Sequence, residues 1–426
     1  MNSPNWKQML VAALVPASAE LVWVLYNTYV PLWLQAGNPN FSSTLAGFGL
    51  TAATAGLILT LGNLIGLIIN PIVGILSDST HTRFGRRKPW YALPAPLLLL
   101  TLCLIPFLAQ SSTLTVFLLN LGVFLFALAI MRGPATVLLY DITPSKFRGM
   151  AAALSGIAGG TAGIVGAIAA AVLFRIRPSL PFWVVSGVVG AAILSAAVYV
   201  REPATQPTAE SDASVPPRKP RQSATGHVFG MLKSLPREHL ISTALLILNT
   251  FFTYIAFGQM QAFTSSYGVS ALGLSAGNSS LVYAAGGAAF ILFSFPASAI
   301  ATKWLRRKST QMLGILLYIP IALLVYFFAN PITIWVLMAL LGAAWALVMV
   351  TQEPMMLDSA PSDAMLGTYS AILQVARTLG FVVSPILGGW VIQSAGSDYN
   401  VIWLVMAGAQ ALAFLALLPV TRGEAR

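Results

Sequence analysis

The chain has 426 residues, of which 57% are hydrophobic and only 8% charged, and its mean hydropathy is +0.80. A soluble domain carries roughly 25% charged residues, so this composition cannot clothe a water-facing surface and excludes an ordinary soluble protein. The net charge of +11 would hint at nucleic acid in a soluble chain; in a lipid-embedded chain it reads as basic loops gathered on one side, and no nucleic-acid partner is expected.

Long apolar runs occur at about 9–35, 46–76, 90–110, 113–143, 148–175, 181–200, 239–266, 277–302, 309–329, 331–357, 365–393 and 398–420. Each can cross roughly 30 Å of hydrocarbon at about 1.5 Å per residue. They predict an all-α integral membrane protein of twelve transmembrane helices. The first run exceeds signal-peptide length and lacks a small-residue cleavage site, so it reads as a retained helix. One cysteine, Cys103, excludes an intrachain disulfide and a cysteine-based metal site.

With an even helix count and the N-terminus inside, the inner loops collect Lys7, Arg83, Arg86, Arg87, Lys88, Lys146, Arg148, Arg306, Arg307 and Lys308, while the outer loops hold Arg175 and Arg177. The positive-inside rule then places both termini in the cytoplasm, and the short loops suggest a bacterial inner membrane. The polar stretch 201–238, rich in Pro, Ser and charge, cannot bury a core and predicts a cytoplasmic linker. It divides the chain into a six-helix bundle over 1–200 and another over 239–426.

The halves resemble each other. Asp141-Ile-Thr-Pro144 closes the fourth run and Asp358-Ser-Ala-Pro361 closes the tenth. Arg132-Gly-Pro134 and Gln352-Glu353-Pro354 lie just upstream, and a basic cluster follows both the second and the eighth runs. Parallel six-helix repeats of this kind place a substrate site between the halves near mid-membrane.

The loop after the second run reads Gly74-Ile-Leu-Ser-Asp78-Ser-Thr-His-Thr-Arg83-Phe-Gly85-Arg86-Arg87. It resembles the G-x-x-x-D-x-x-x-x-R-x-G-R-R signature of the major facilitator superfamily. That resemblance implies a cytoplasmic gate made of Gly74, Asp78, Arg83, Gly85, Arg86 and Arg87, with Asp141 and Asp358 as helix-end acids. Gly74 would let two helices meet closely, and the arginines would pair with carboxylates. A narrower resemblance joins Asn70-Pro-Ile-Val-Gly74 and Arg132-Gly-Pro-Ala-Thr136-Val-Leu-Leu-Tyr-Asp141 to the plant sucrose–proton symporters and the neighbouring glycoside–pentoside–hexuronide cation symporters. It implies proton-coupled sugar uptake. The departures are Arg132 and Thr136, where that group has Gln and Arg, and the absence of acids from residues 46–76, which argues against the sodium-coupling acid pair of the melibiose type.

A lone charge at mid-bilayer costs a few kcal/mol and is a functional hypothesis by default. Glu20, Arg132, Glu353 and Arg377 interrupt apolar runs, and Glu20 with Arg132 and Glu353 with Arg377 are candidate pairs. Glu20 is the first coupling candidate and Glu353 the second, because a solute that disturbs an ion pair changes the proton affinity of its acid. Sugar recognition needs aromatic faces and amides, which Trp23, Tyr26, Asn27, Asn249, Tyr254, Gln259 and Gln374 supply as binding candidates.

No phosphate loop, zinc-protease pattern or nucleophile elbow occurs, so neither an ATP-driven pump nor an enzyme is expected, and no cofactor or metal is called for. The leading expectation is a monomeric secondary transporter that imports a sugar or glycoside with a proton. A proton-driven exporter of drugs or metabolites and a transporter of carboxylated solutes are the alternatives.

Overall fold

A computed structural model describes residues 5–202, 237–362 and 365–423. The expected linker at 201–238 falls, apart from its ends, outside the described residues. Twelve helices follow in order: α1 (Trp6–Gln35), α2 (Ala52–Ser79), α3 (Lys88–Ser111), α4 (Leu114–Asp141), α5 (Arg148–Ile176), α6 (Leu180–Tyr199), α7 (Arg237–Ser270), α8 (Ala276–Ala299), α9 (Arg307–Phe328), α10 (Ile334–Asp358), α11 (Leu366–Ser394) and α12 (Val401–Leu417). Eleven are long and apolar enough to cross a membrane, and α12 is apolar with 17 residues. No strand occurs among the described residues. The chain is a multi-pass membrane protein of two six-helix repeats.

Local chemistry sets the helix ends. Thr51 caps α2 by accepting from the Thr54 N–H, and Ser275 caps α8 by accepting from the Asn278 N–H. Pro144 and Pro361 follow the ends of α4 and α10, where a ring without N–H cannot extend a helix. α3 is not the continuous run expected from hydropathy: it breaks at Leu93–Pro94, with Lys88–Ala92 before and Ala95–Ser111 after. α8 continues as a π-helical turn over Ile300–Trp304.

Gln35 at the end of α1 meets Tyr399 just before α12, which defines the far side; the start of α1 and the end of α12 lie on the opposite, near side. The first six helices pack around α1 with α5, α6 and α4, and the last six around α7 with α11, α12 and α8. The halves meet along α2–α11 and α5–α8.

On the far side the halves touch backbone to backbone. A Cβ on Gly56 would lie 2.1 Å from the Pro385 carbonyl oxygen, and one on Gly389 would lie 2.3 Å from the Ala52 carbonyl oxygen. Small residues at such crossings let helices approach closely where no hydrophobic effect drives them together. The amide of Gln35, wholly buried, donates to Ser266 Oγ at 2.8 Å and accepts from the Tyr399 hydroxyl. Burial pushes the Tyr399 phenol well above its ordinary pKa, so it stays a donor. Arg175 donates to Asn278 between α5 and α8.

On the near side Arg86 and Arg87 pair with Asp141, and Arg307 with Asp358, each within its own half. The structure is therefore closed on the far side. Gly56→Ala is expected to force α2 off α11 there. The variant should insert normally but admit a membrane-impermeant maleimide to a cysteine placed at Ala52, which the parent protects.

Candidate substrate and coupling site

Between the halves lies a cavity of about 680 Å³. α1 lines it with Glu20, Trp23 and Asn27, α4 with Arg132 and Thr136, and α11 with Arg377. Gly156, Gly159, Gly160 and Gly163 of α5 line another wall; beside Gly156 and Gly163 the space is open, whereas Gly160 makes room for Ile291 of α8. With the far side sealed, solvent reaches the half-buried Glu20 and Arg132 from the near side.

Each half carries one charge pair on an aromatic ring. Arg132 donates to Glu20 Oε1 at 2.6 Å, and its guanidinium carbon stands 5.5 Å from the centre of the Trp23 ring. Arg377 donates to Glu353 at 3.4 Å and to Gln374 at 3.0 Å, and stands 5.5 Å from the Tyr254 ring. A guanidinium over an aromatic face keeps part of its stabilisation when its carboxylate is protonated or displaced. The arrangement can therefore exchange a carboxylate partner for a solute without stranding the arginine. Glu353 and Gln374 are exposed at the rim and, unlike Arg377, do not line the cavity.

The wall from the second half is aromatic. Phe257 stacks on Trp345 at 4.7 Å with the planes 9° apart, and Tyr254 and Tyr318 stand 6.3 and 6.2 Å from the same Trp345. Sequence reading missed Trp345, Tyr318 and Phe257, because an aromatic in an apolar helix carries no sign of which face looks inward. It also passed over Tyr283, which lines the cavity beside Gln261.

Three expected binding residues point elsewhere. Asn249 is wholly buried, donating to the Ala413 carbonyl at 2.9 Å and accepting from Gln311 at 2.9 Å, so it joins α7, α9 and α12. Gln259 donates to the Ser384 carbonyl across α7–α11. Tyr26 lies behind Trp23, stacked on it at 5.3 Å, with its hydroxyl on the Leu59 carbonyl. In each case a backbone or buried partner inside the bundle claims the polar group, and none of the three lines the cavity.

The basic loop is also built differently in detail. Arg87, 4% exposed, holds Asp141 at 2.8 Å and also meets Asp78 and Ser77. Burial opposes its charge, but the hydrogen bonds of Asp141 and Asp78 outweigh this and lift its pKa above the ordinary value. Arg86 adds a contact to Asp141 at 2.7 Å. Arg83 instead turns over the Phe84 ring at 4.6 Å. Gly74 makes no close approach: a Cβ there would meet nothing within 4 Å.

Sequence reading also missed Glu202. Its carboxylate accepts from the backbone N–H groups of Arg86 (2.6 Å), Arg87 (2.8 Å) and Lys88 (2.8 Å) at the start of α3. Anions are stabilised at such a helix start. Gly85 makes room for it, with φ +110° and a Cβ position only 2.4 Å from the Glu202 carboxyl carbon.

A model described as Major Facilitator Superfamily matches residues 12–378. Among solved structures, the chain is similar to the nucleoside transporter NupG, with TM-score 0.75 and 13% identity over 97% of this chain and 100% of that one. It is also similar to a bacterial homologue of the human lysosomal transporter Spinster in an inward-facing and occupied conformation, with TM-score 0.70 and 14% identity over 98% and 96% of the two chains. A D-xylose–proton symporter gives TM-score 0.67 and 14% identity over 98% and 97%. At these identities the likeness is one of fold. A 42-residue stretch is 50% identical to an uncharacterized symporter of Synechocystis sp. (strain ATCC 27184 / PCC 6803 / Kazusa), spanning 10% of this chain and 8% of that protein.

Two outcomes are expected from these contacts. Asp141→Asn leaves the buried Arg87 with the exposed Asp78 as its one carboxylate beside the Ser77 hydroxyl, and should destabilise the protein by about 3 kcal/mol, whereas Asp78→Asn should cost less than about 1 kcal/mol; thermal unfolding of the purified variants in detergent reads both. Gly163→Leu fills open space in the cavity wall, where a Cβ meets nothing within 4 Å, so transport should fall at least about tenfold, with normal yield and a monodisperse elution profile.

Proposed function

Because the chain belongs to the Major Facilitator Superfamily, and so is a transporter rather than an enzyme, we propose that it imports a sugar or glycoside together with a proton by alternating access. The observation that carries this reading is the Glu20–Arg132 pair at 2.6 Å, set in the cavity wall against Trp23. A carboxylate in that position can bind a proton when Arg132 turns to the solute. A sugar offers both what the site lacks: apolar ring faces for Trp23 and Trp345, and hydroxyls for the guanidinium and for Asn27 and Gln261. The D-xylose–proton symporter among the structural neighbours agrees with sugar and proton coupling, as does the short match to a symporter. The motif resemblance to sucrose and glycoside symporters points the same way.

In this proposal residues 1–200 and 239–426 rock as two bundles joined by 201–238. The basic loops support a cytoplasmic near side and cytoplasmic termini, and on that reading the arrangement is inward-facing. Asp78, Arg86, Arg87, Asp141 and Asp358 then belong to the cytoplasmic gate, released here and closed when the far side opens. Glu353 with Arg377 is the second coupling pair.

One observation favours a carboxylated solute as a second reading. Arg377 has a buried Nε without any hydrogen-bond partner, and a carboxylate would engage it side-on with two parallel bonds.

The test is external pH. A panel of neutral sugars and sugar acids is added, one at a time, to de-energised cells expressing the protein. Alkalinisation with a neutral sugar, abolished by Glu20→Gln, is the expected result. A signal that survives Glu20→Gln moves the coupling role to Glu353. A response to sugar acids alone selects the second reading, and a response to none refutes sugar symport.

A further inference from the structure

The lining of the cavity changes character at its closed end. Thr28 of α1, Thr264 and Ser265 of α7, and Ser279 and Ser280 of α8 line it there. All five are buried, from 0% to 6% exposed. α1 and α7 both run toward the far side and α8 starts from it, so the five stand at one level. Glu20 lies eight residues before Thr28 on α1, about 12 Å back along the axis. The end of the cavity is thus a cup of neutral hydroxyls, beyond the charged pairs.

The hydroxyls differ in what they already bond. Ser279 and Ser280 donate to the Ala276 and Gly277 carbonyls at 2.8 and 2.7 Å, which leaves them acceptor lone pairs. The Thr264 and Ser265 hydroxyls have no hydrogen-bond partner, and both oxygens are fully buried in the wall, so a χ1 rotation brings them to a solute. A helical Ser or Thr ordinarily bonds back to the preceding turn. Two neighbours that do not, and that line a cavity, keep both donor and acceptor free. The complementary group must donate and accept at close spacing and carry no charge, since no acid or base belongs to the cup. Vicinal hydroxyls on a ring do this; a hydrocarbon would leave the oxygens unpaired.

The next residue, Ser266, accepts from Gln35 at 2.8 Å, and Gln35 in turn accepts from Tyr399. The cup therefore abuts the bonds that close the far side, and it takes residues from both halves.

We infer that Thr264 and Ser265 form a hydroxyl-reading subsite for the uncharged diol end of a sugar, and that its occupancy holds the Gln35–Ser266–Tyr399 closure shut. This rests on the sugar reading above. A free solute that bridges α1, α7 and α8 is bound only while those helices meet, so it stabilises the far-closed state by its differential affinity.

Binding of a panel of neutral mono- and disaccharides to the purified full-length protein tests this, followed by quenching of the cavity tryptophans. The double variant Thr264→Val/Ser265→Ala should bind the preferred sugar about tenfold or more weakly. Thr264→Ser, which keeps the hydroxyl, should bind within about twofold of the parent. Deoxy analogues of the preferred sugar should show one position whose loss weakens binding to the parent but not further to the double variant, the coupling expected of groups in contact. In a Cys103→Ser background, saturating sugar should slow maleimide labelling of Asn38→Cys, and should cease to do so in the double variant. Parent-like affinity in the double variant overturns the subsite and leaves the sugar reading intact. Labelling indifferent to sugar overturns its link to the closure. A parent protein that binds no sugar overturns both readings together.

Discussion

Everything in this molecule answers to one constraint: inside the bilayer no water is available for a backbone N–H or C=O, so each must find its partner in the protein. Twelve helices satisfy most of them. Prolines inside the helices create exceptions, and the one at Pro385 ties the halves together. Pro385 has no N–H, so the Phe381 carbonyl one turn earlier loses its helical donor. Asn63 of α2 supplies one at 3.3 Å, and Thr60 donates to the adjacent Val382 carbonyl at 3.0 Å. Both bonds cross from one half to the other, within the same helix pair that Gly56 and Gly389 bring into backbone contact. The break in one helix is thus repaired by the other repeat.

The charges obey the same constraint with larger energies. A carboxylate or guanidinium alone at mid-membrane is costly, and its removal from water is repaid only by a close partner. Glu20 with Arg132 and Glu353 with Arg377 provide those partners, and Trp23 and Tyr254 add a π-face to each arginine. The two pairs are unequal. Arg132 holds its acid at 2.6 Å inside the cavity wall, while Arg377 holds its acid at 3.4 Å at the rim. Both members of the tighter pair line the cavity, whereas of the looser pair only Arg377 does.

The sequence showed what composition and interruption can show. Twelve apolar runs announce twelve helices, and a charge inside such a run stands out against its surroundings. The repeat is legible at the helix ends, Asp141 with Pro144 and Asp358 with Pro361, but slips inside the helices: Pro134 stands seven residues before Asp141, Pro354 only four before Asp358. What could not be read was direction. Nearly uniform apolar helices have no polar face to mark the inside, so nothing in the sequence singled out Trp345 and Tyr318. Conversely, Asn249 and Gln259 looked like ligands for a solute, although in a dry bundle an amide is as readily held by a neighbouring backbone carbonyl. The break of α3 at Leu93–Pro94 follows from proline chemistry that hydropathy averages away. Glu202 escaped notice because its partners are three backbone N–H groups with no sequence signature.

The two ends of the cavity differ in kind, and the difference bears on how such a molecule can alternate. The far side is closed by glycine backbone contacts, by neutral hydrogen bonds that each contribute about 1 kcal/mol net, and by one bond from Arg175 to the neutral amide of Asn278. Opening it would break no ion pair among these contacts. The near side carries the guanidinium and carboxylate groups, but these are paired inside their own halves, Arg87 with Asp141 and Arg307 with Asp358. Closing it therefore need not create charge pairs from unpaired ions; it need only share existing ones across the gap, at an edge already wet. Neither motion requires a large electrostatic step, so the two states can lie within a few kcal/mol. A gap of that size is one that the differential binding of a small neutral solute can overcome.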